Sequence, residues 1–325
     1  MRKMGSIAII IFMVIIAGCS GESKNDVYPL TGKEADKDAT NRTVSVMVNN
    51  HPDARPQTGL FEADIVFEML TEGNITRFLA LFQSEQPEKV GPVRSAREYF
   101  FELAKGYDAL YVYHGSAKKI EKLLQASGVD SINGTSHDDD GNLFMRDSSR
   151  VAPHNSYLLF ESVYDKAEAD GFNVENKQKP LTFLTEEDEV EGESAQNIQI
   201  NYATSGSPVV EFTYDETNES YLRYNDSEQT VELSDETPIE VENVFIAEMD
   251  HEVIDKEGRR AIDLESGGNG YLIQKGKVKT VEWENSDGRI VPTKDGEEIG
   301  LVKGQTWINI IPTSSGLDNS VTITN

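Results

Sequence analysis

Residues 44–48 read Val44-Ser45-Val46-Met47-Val48, a run of apolar and β-branched side chains that predicts a buried strand. Strand-like and helix-like runs alternate after it; the strands are 65–70, 78–82 and 109–113, and the helices are 93–104, 117–125 and 156–169. This alternation is typical of a domain that mixes strands and helices around one core. We therefore predict an α/β (mixed α+β) N-terminal domain over residues 43–172.

The second half of the chain has a different pattern. Residues 173–196 are rich first in Lys and then in Glu, which predicts a linker or an exposed loop. Short alternating runs then follow, separated by Gly, Asn-Gly and Asp-Gly turns that are typical of β-hairpins. The runs are 209–214, 220–224, 244–249, 271–274, 278–283 and 306–311. We predict a β-rich, acidic C-terminal domain over residues 197–325.

The net charge excludes one class of partner. The 325 residues include 30 Lys+Arg and 57 Asp+Glu, a formal charge of −27. Nucleic-acid binding draws its free energy from Lys and Arg that displace counterions, so we expect no nucleic-acid partner. The acidity is uneven, because residues 40–126 carry 10 basic and 11 acidic groups whereas residues 181–270 carry 4 and 24. The acidic block is interpreted as a solvated face, with docking of a basic partner protein as the alternative.

The N-terminus is typical of an export signal. Residues 1–18 combine basic residues, an apolar run over 7–16 that is too short to cross a bilayer of about 30 Å, and small residues before Cys19. The string Ile16-Ala17-Gly18-Cys19 resembles a bacterial lipobox, in which the cysteine carries acyl chains such as palmitate. We predict a lipoprotein signal peptide over 1–18, lipidation of Cys19 and a flexible tether over 19–42. The alternative is a plain signal peptide with a coincidental cysteine.

Polar residues follow three of the predicted N-terminal strands. They are Asn49-Asn50-His51, Glu72-Gly73 and His114-Gly115-Ser116. Ligands of open α/β sheets bind beyond the carboxyl ends of the strands, so these positions are the first candidates for a site.

The segment Gly91-Pro92-Val93-Arg94-Ser95-Ala96-Arg97 predicts an anion site. Pro92 fits the first position of a helix, which would place Arg94 and Arg97 on one face of its first turns. Cations there oppose the helix dipole at a cost of a few tenths to about 1 kcal/mol each. A phosphate or carboxylate ligand would offset that cost. The alternative is that Arg94 pairs with Glu98 and Arg97 with another acid; Arg77 fits either arrangement.

A second cluster lies within residues 144–155. Arg146, Arg150 and His154 occur there within nine residues, which suits a charge clamp with a general acid or base. The alternative is surface ion pairs and a histidine helix cap. The candidate anion-binding residues are therefore Arg55, Arg77, Arg94, Arg97, Arg146 and Arg150, and the candidate acid/base residues are His114, His154, Glu68 and Glu72.

The sequence carries no recognised cofactor motif. It has no H-E-x-x-H, no G-x-G-x-x-G after a strand and no P-loop, so we expect neither a metal nor a nucleotide cofactor. Residues 137–142 look like a calcium loop but lack the twelve-residue spacing of an EF-hand, which favours an acidic turn. Glu62, Glu68 and Glu72 suggest a paired-carboxylate hydrolase; the alternative for Glu68, in an apolar strand, is an ion pair with a neighbouring arginine.

Five strings carry a family resemblance. Together they resemble the N-terminal domain of the YerB-like lipoproteins; they are Val46-Met47-Val48-Asn49-Asn50, residues 54–60, Ala63-Asp64-Ile65-Val66-Phe67-Glu68, residues 75–80 and residues 90–97. Gly304-Gln305-Thr306-Trp307-Ile308 is similar to their C-terminal domain. The resemblance runs from about residue 43 to the end. It implies a two-domain bacterial envelope lipoprotein of Gram-positive type, and it supplies no catalytic assignment.

The leading prediction is a lipid-anchored protein on the outer face of the cytoplasmic membrane. Its ligand would be an anionic cell-wall component or glycan, or its partner an envelope protein. One alternative is a metal-independent hydrolase of a phosphodiester or glycosidic bond, in which two arginines hold the anion and a histidine acts as acid or base. Another is a scaffold that docks a basic partner through the acidic second domain. Whether the protein is an enzyme stays open at this point.

Overall fold

The computed structural model describes residues 27–35, 39–203 and 208–325. The predicted signal peptide, Cys19 and the first part of the predicted tether lie outside these residues. In the described part of the chain, no helix combines the length and the apolar character needed to cross a membrane.

In the described residues of the N-terminal half there are eight strands and three α-helices. They are β1 (Val44–Asn49), β2 (Ile65–Leu70), β3 (Thr76–Phe82), β4 (Lys89–Val90), α1 (Glu98–Gly106), β5 (Leu110–Tyr113), α2 (Lys118–Ser127), β6 (Ser131–Asn133), β7 (Phe144–Arg146), β8 (Ser156–Leu159) and α3 (Val163–Ala169). Short 3-10 turns occur at Pro52–Ala54, Glu72–Asn74, Gly134–Ser136 and Phe160–Ser162.

The C-terminal half is dominated by strands. They are β9 (Glu193–Ser194), β10 (Asn197–Asn201), β11 (Val209–Asp215), β12 (Ser220–Asn225), β13 (Glu228–Gln229), β14 (Glu240–Val241), β15 (Asn243–Met249), β16 (His251–Val253), β17 (Arg260–Ile262), β18 (Gly268–Gln274), β19 (Lys277–Ser286), β20 (Arg289–Lys294), β21 (Glu297–Glu298), β22 (Thr306–Pro312) and β23 (Val321–Thr324), with one short helix, α4 (Leu317–Ser320). The predicted β-rich character of this half agrees with these strands.

One large sheet joins the two halves. Its order is β21-β20-β19-β18-β15-β22-β2-β3-β1-β5-β6, with β9 paired to β19. Strand β22, near the end of the chain, lies between β15 and β2 and is parallel to both. Every residue of β22 is buried, as expected for a strand covered on both faces. The halves therefore share a hydrogen-bonded core.

The two faces of this sheet carry separate apolar clusters. On one face a smaller sheet, β13-β12-β11-β10-β23 with β14 on β12, packs its inward residues against Phe78 and Trp307. Phe212 of that sheet meets the Trp307 ring at a centroid distance of 6.4 Å. On the other face Phe100 and Phe101 of α1 pack against Met47 and its neighbours. Strands β4, β8 and β7 form a further small sheet, and β16 pairs with β17.

Two of the predicted helices begin later than expected. Helix α1 begins at Glu98 instead of residue 93, because residues 92–97 are tied in extended form to neighbouring strands. The Asn49 N–H donates to the Pro92 carbonyl at 2.9 Å and the Arg94 N–H donates to the Met47 carbonyl at 2.8 Å. Residues 156–159, predicted as helix, form strand β8 between β4 and β7. In both segments sheet pairing replaces the helix that local sequence favours.

The described end of the predicted tether is packed against the domain. Leu30 is fully buried, the Leu181 N–H donates to the Pro29 carbonyl and the Gly304 N–H donates to the Thr31 carbonyl. Residues 27–35 are therefore not a solvated spacer, because they bury apolar surface and exchange backbone hydrogen bonds with the C-terminal half. The predicted linker likewise contacts a distant part of the chain, since the Leu184 N–H donates to the Leu301 carbonyl.

Candidate functional site

Four segments of the N-terminal half meet at one edge of the large sheet. They are the end of β1, residues 91–97, His114 after β5 and the loop that precedes β8. The Val93 N–H donates to the Ser156 carbonyl at 2.6 Å, and the His114 N–H donates to the Arg94 carbonyl at 2.9 Å. We refer to the side chains of Arg77, Arg94, His114, Arg150 and His154 at this place as the basic site.

Arg94 is at the centre of the basic site. Its Nη1 donates to the Pro153 carbonyl at 3.0 Å, and its Nε is buried with no hydrogen-bond partner among the described residues. Burial and then the charge of Arg97 lower the pKa of the Arg94 guanidinium. The ion pair of Arg94 with Glu98, the alternative to an anion site, is not formed between these two described residues. Arg94 therefore holds a partly desolvated positive charge that no carboxylate in the described chain neutralises by direct contact.

Arg77 is near enough to Arg94 to feel its charge and is only 6% exposed. Its Nη1 donates to the Ser95 carbonyl at 2.8 Å. Burial lowers the pKa of Arg77 to about 9, and the charges of Arg97 and Arg94 add to the effect. Within the described ranges no acidic group forms an ion pair with Arg77. Its positive charge therefore adds to that of Arg94 in the basic site.

Arg97, in contrast, is neutralised. Its Nε and Nη2 donate to the two carboxylate oxygens of Glu72, both at 2.7 Å. Burial acts to raise the pKa of Glu72, but the hydrogen bonds and charge of Arg97 outweigh it and lower the pKa. The predicted location of Arg94 and Arg97 on one helix turn is wrong, because residue 97 only precedes α1. Arg97 and Glu72 form a closed bidentate pair at the border of the basic site.

Arg150 and His154 come from the loop before β8. Arg150 donates from Nη2 to the Pro56 carbonyl at 2.6 Å, while its Nη1 is buried with no partner in the described chain. The His154 Nδ1 lies 2.8 Å from the Asn49 amide nitrogen. Burial, then His51 and Arg94, lower the pKa of His154, and Arg150 contributes in the same direction. His154 is therefore close to both unpaired arginines and favours its neutral form.

His114 is held by a serine. Its Nδ1 lies 2.7 Å from the Ser156 Oγ, and its Nε2 is 3.9 Å from Asp138. Ser156, however, is only 2% exposed, so it can orient His114 but cannot reach a substrate. Burial and the charge of Arg146 lower the pKa of His114. Arg146 itself pairs with Asp138 at 2.6 Å, as the surface ion-pair alternative expected.

Glu68 and Arg55 lie outside the basic site, where the N-terminal half contacts the C-terminal half. Glu68 is fully buried and pairs with Arg223 of β12 at 2.8 Å. Trp307 donates to the same Glu68 oxygen at 2.9 Å. Arg55 donates to Asn50 and pairs with Asp226 at 3.2 Å. Arg223 and Trp307 were not singled out from the sequence as partners of Glu68, because the contacts span more than 150 positions of chain.

His51 was noted in the sequence after the first predicted strand but was not included among the candidate acid/base residues, and Asp53 was not selected. The His51 ring lies 4.6 Å from the His154 ring between centroids, and its Nδ1 is 3.6 Å from an Asp53 carboxylate oxygen. The position of His51 directly after a strand was the available signal. Asp53 follows it in a 3-10 turn and carried no signal of its own.

The geometry favours anion binding over glycosidic acid–base chemistry. Glu68 and Glu72 are each closed in an ion pair with an arginine, so neither is a free carboxylate for a hydrolase pair. Arg94 and Arg150 instead offer cationic donors near His154. The loop at 137–142 forms the expected acidic turn, in which Asp140 accepts hydrogen bonds from three backbone N–H groups.

Two family models match the chain. Residues 30–173 match the family described as "Protein of unknown function (DUF3048) N-terminal domain", and residues 198–308 match the corresponding C-terminal domain. The basic site lies within the first of these, and the Glu68–Arg223 pair joins the two.

Similar proteins include one from Bacillus subtilis. The chain is 46% identical over 286 residues to the protein named "Putative lipoprotein YerB" of strain 168, covering 87% of this chain and 86% of that one. It is also similar to the crystal structure of YerB from Bacillus subtilis, with a TM-score of 0.85, 44% identity and coverage of 92% of this chain and 99% of that one. The chain therefore belongs to the two-domain YerB-like family, whose N- and C-terminal domains are both described as of unknown function.

Proposed function

We propose that this protein is a lipid-anchored, extracytoplasmic protein that binds an anionic component of the cell envelope at the basic site. The ligand class is a phosphate, phosphodiester or carboxylate, as in a wall polymer or an acidic glycan. The anchor is Cys19, and the outer face of the cytoplasmic membrane is the place where the site would meet such ligands. The name of the Bacillus subtilis relative supports the lipoprotein part of the proposal.

One observation carries the ligand proposal. Arg94 and Arg150 each bury a guanidinium N–H that has no hydrogen-bond partner among the described residues. A buried donor without a partner costs about 1–3 kcal/mol, and more when it is charged. Both arginines lower the pKa of His154, so both charges lie near that residue. An anion bound there would accept from both and remove this cost.

The surroundings explain why a small anion binds to a protein of charge −27. Residues 40–126 are nearly neutral, and exposed charges beyond a Debye length of about 8 Å are screened at physiological ionic strength. Arg77 adds a buried positive charge that is weakly screened. The protein therefore repels long polyanions from a distance while the basic site attracts an anion locally.

The test compares ligand binding by the full chain and by arginine variants. Calorimetry would measure binding of glycerol phosphate polymer and of muropeptides by the wild type, Arg94→Gln and Arg150→Gln. Each variant removes a charge-assisted hydrogen bond of about 1.5–3 kcal/mol, so we expect affinity to fall at least tenfold.

Arg259→Gln is the matched control. Arg259 is a partly exposed arginine of the C-terminal half that pairs with Asp255 and Glu257, and among the described residues it makes no ion pair or hydrogen bond with the basic site. Its variant should bind like the wild type. Equal binding by all four proteins would contradict the proposed site, and no binding of either ligand would contradict the proposed ligand class.

A further inference from the structure

We propose that a polar cavity between the two halves of the protein binds a neutral polyol unit of the size of glycerol. The cavity has a volume of about 120 Å³. Residues within 50–57, after β1, supply one wall, and residues within 223–231, in the hairpin of β12 and β13, supply the other. We refer to this space as the polar cavity.

The lining of the polar cavity is both buried and polar. Asn50, Gln57, Arg223, Asn225 and Thr230 are between 1% and 8% exposed, and each carries an amide, a hydroxyl or a guanidinium group. Polar groups are costly to bury without hydrogen-bond partners. The volume equals that of about four waters at roughly 30 Å³ each. The cavity therefore favours a small occupant that forms hydrogen bonds over an apolar one.

Hydrogen bonds between the lining side chains hold the wall in place. The Asn50 Oδ1 accepts from the Arg55 Nε and from the Gln57 Nε2, both at 3.1 Å. The Asn225 Oδ1 accepts from the Asn50 amide at 3.0 Å and from the Arg223 Nη2 at 3.3 Å. These contacts connect the two walls, so the polar cavity is shaped before a ligand arrives, as in other preorganised sites.

Three polar groups of the lining stay available within the described chain. Gln57 donates both amide protons, to the Asn49 carbonyl and to Asn50, but its side-chain carbonyl accepts no hydrogen bond there. The Thr230 hydroxyl accepts from the Arg223 Nη1 at 2.7 Å and has no acceptor for its own proton. Arg223 also buries an Nε without a partner. A hydroxyl group both donates and accepts, so a polyol matches this mixture of one acceptor and two donors.

The charges around the polar cavity favour a neutral ligand. Each arginine of the lining is paired with a carboxylate, Arg55 with Asp226 at 3.2 Å and Arg223 with Glu68 at 2.8 Å. Glu228 adds a further carboxylate to the lining. An anion in the cavity would therefore meet an excess of negative charge, in contrast to an anion at the basic site.

Pro56 connects the polar cavity with the basic site. It lines the cavity, and its carbonyl accepts from the Arg150 Nη2 at 2.6 Å. We therefore expect a polymer that alternates phosphate and glycerol to use both places, with phosphate at the basic site and glycerol in the cavity. This step rests on the proposed function, whereas the polyol site itself does not.

Saturation-transfer NMR with glycerol tests the polyol site on the full chain, in a detergent without hydroxyl groups. We expect transfer to glycerol in the wild type. Thr230→Val keeps the shape of the side chain and removes its hydroxyl, so it should weaken glycerol binding at least threefold. Gln229→Trp is the second variant, because Gln229 is an exposed residue of the lining and a larger side chain there should obstruct the cavity without disturbing the core.

Thr213→Val is the matched control. Thr213 belongs to β11 of the same small sheet, its hydroxyl lies 3.3 Å from the Asn197 Oδ1, and it does not line the polar cavity. This variant should bind glycerol like the wild type. Absence of transfer to glycerol in the wild type, or unchanged affinity in both Thr230→Val and Gln229→Trp, would overturn the polyol site.

Calorimetry with glycerol phosphate polymer and with inorganic phosphate tests the connection between the two sites. Thr230→Val should weaken polymer binding at least threefold and leave phosphate binding unchanged, whereas Arg94→Gln should weaken both. Unchanged polymer affinity in Thr230→Val would overturn the connection. If glycerol binds to the wild type and neither phosphate nor the polymer does, the polyol site stands and the proposed function is contradicted.

Discussion

Replacing Glu68 with Gln should strongly destabilise the protein. Glu68 and Arg223 are 0% and 1% exposed at their side chains, so the substitution leaves a buried guanidinium without its counter-charge. Four donors converge on the two carboxylate oxygens: Arg223 and Trp307 on one, Thr76 and Asn50 on the other. The amide nitrogen of glutamine must face one of these donor pairs.

The magnitude follows from burial. Removing one partner of a buried ion pair typically costs about 3–5 kcal/mol, because the remaining charge stays desolvated. Both donors to the Glu68 Oε2, at 2.8 and 2.9 Å, come from the C-terminal half, so the loss falls on the contact between the two halves. We expect the free energy of unfolding to fall by about 3–5 kcal/mol.

Urea unfolding followed by tryptophan fluorescence measures this change. The chain has two tryptophans, and one of them, Trp307, donates to Glu68. Glu282→Gln is the control, because Glu282 lies 3.8 Å from Lys294 in an exposed pair that should contribute at most about 1 kcal/mol. The double variant Glu68→Gln with Arg223→Met should recover part of the loss, since it removes the unpaired charge. A loss below about 1 kcal/mol in Glu68→Gln would refute the reasoning.

Three further predictions concern the basic site, a close backbone contact and the anchor. Burial and the charges of His51 and Arg94 lower the pKa of His154, so affinity for a phosphodiester ligand, whose own charge is constant between about pH 8 and pH 5, should rise only in acidic solution, as His154 gains its proton below the usual range of a histidine. Calorimetry across this range checks it, and His154→Ala should abolish the rise. Gly106→Ala would place a Cβ 2.0 Å from the Gly288 carbonyl oxygen, so it should lower the free energy of unfolding by about 1–3 kcal/mol, although alanine normally stabilises a helix. Thermal denaturation measures the change, and a more stable variant would contradict the contact. Cys19→Ala should release the protein from membranes in cell fractionation, and unchanged retention would contradict the lipid anchor.

The local pattern of apolar residues was sufficient to predict many of the strands. Apolar alternation predicts strands at 244–249 and 306–311, and the structure has β15 and β22 there. The same reasoning failed after Pro92, where the residue preferences suit a helix. The backbone of residues 92–97 instead pairs with Met47 and His114, and contacts with other segments outweigh propensities of a few tenths of a kcal/mol per residue.

The candidate site shows the same division. Residue types and their spacing along the chain were enough to select Arg94, Arg150 and His154, because positive charge and a titratable ring are properties of the residues themselves. Residue type and spacing could not show which arginine lacks a carboxylate partner. Arg97 and Arg94 are three positions apart and chemically identical, yet only Arg97 meets the carboxylate of Glu72.

The sequence by itself determined the charge balance and the alternation of strands and helices, and it was enough to predict an export signal before the single cysteine and to show the family resemblance. Each of these depends on composition or on neighbours along the chain. Only the tertiary structure decided that β22 joins the two halves, that Glu68 is neutralised by Arg223, and that His51, Asp53 and His154 meet. The physical reason is that ion pairs and ligand sites require atoms within about 4 Å, and the chain brings such atoms together across 155 positions in the case of Glu68 and Arg223.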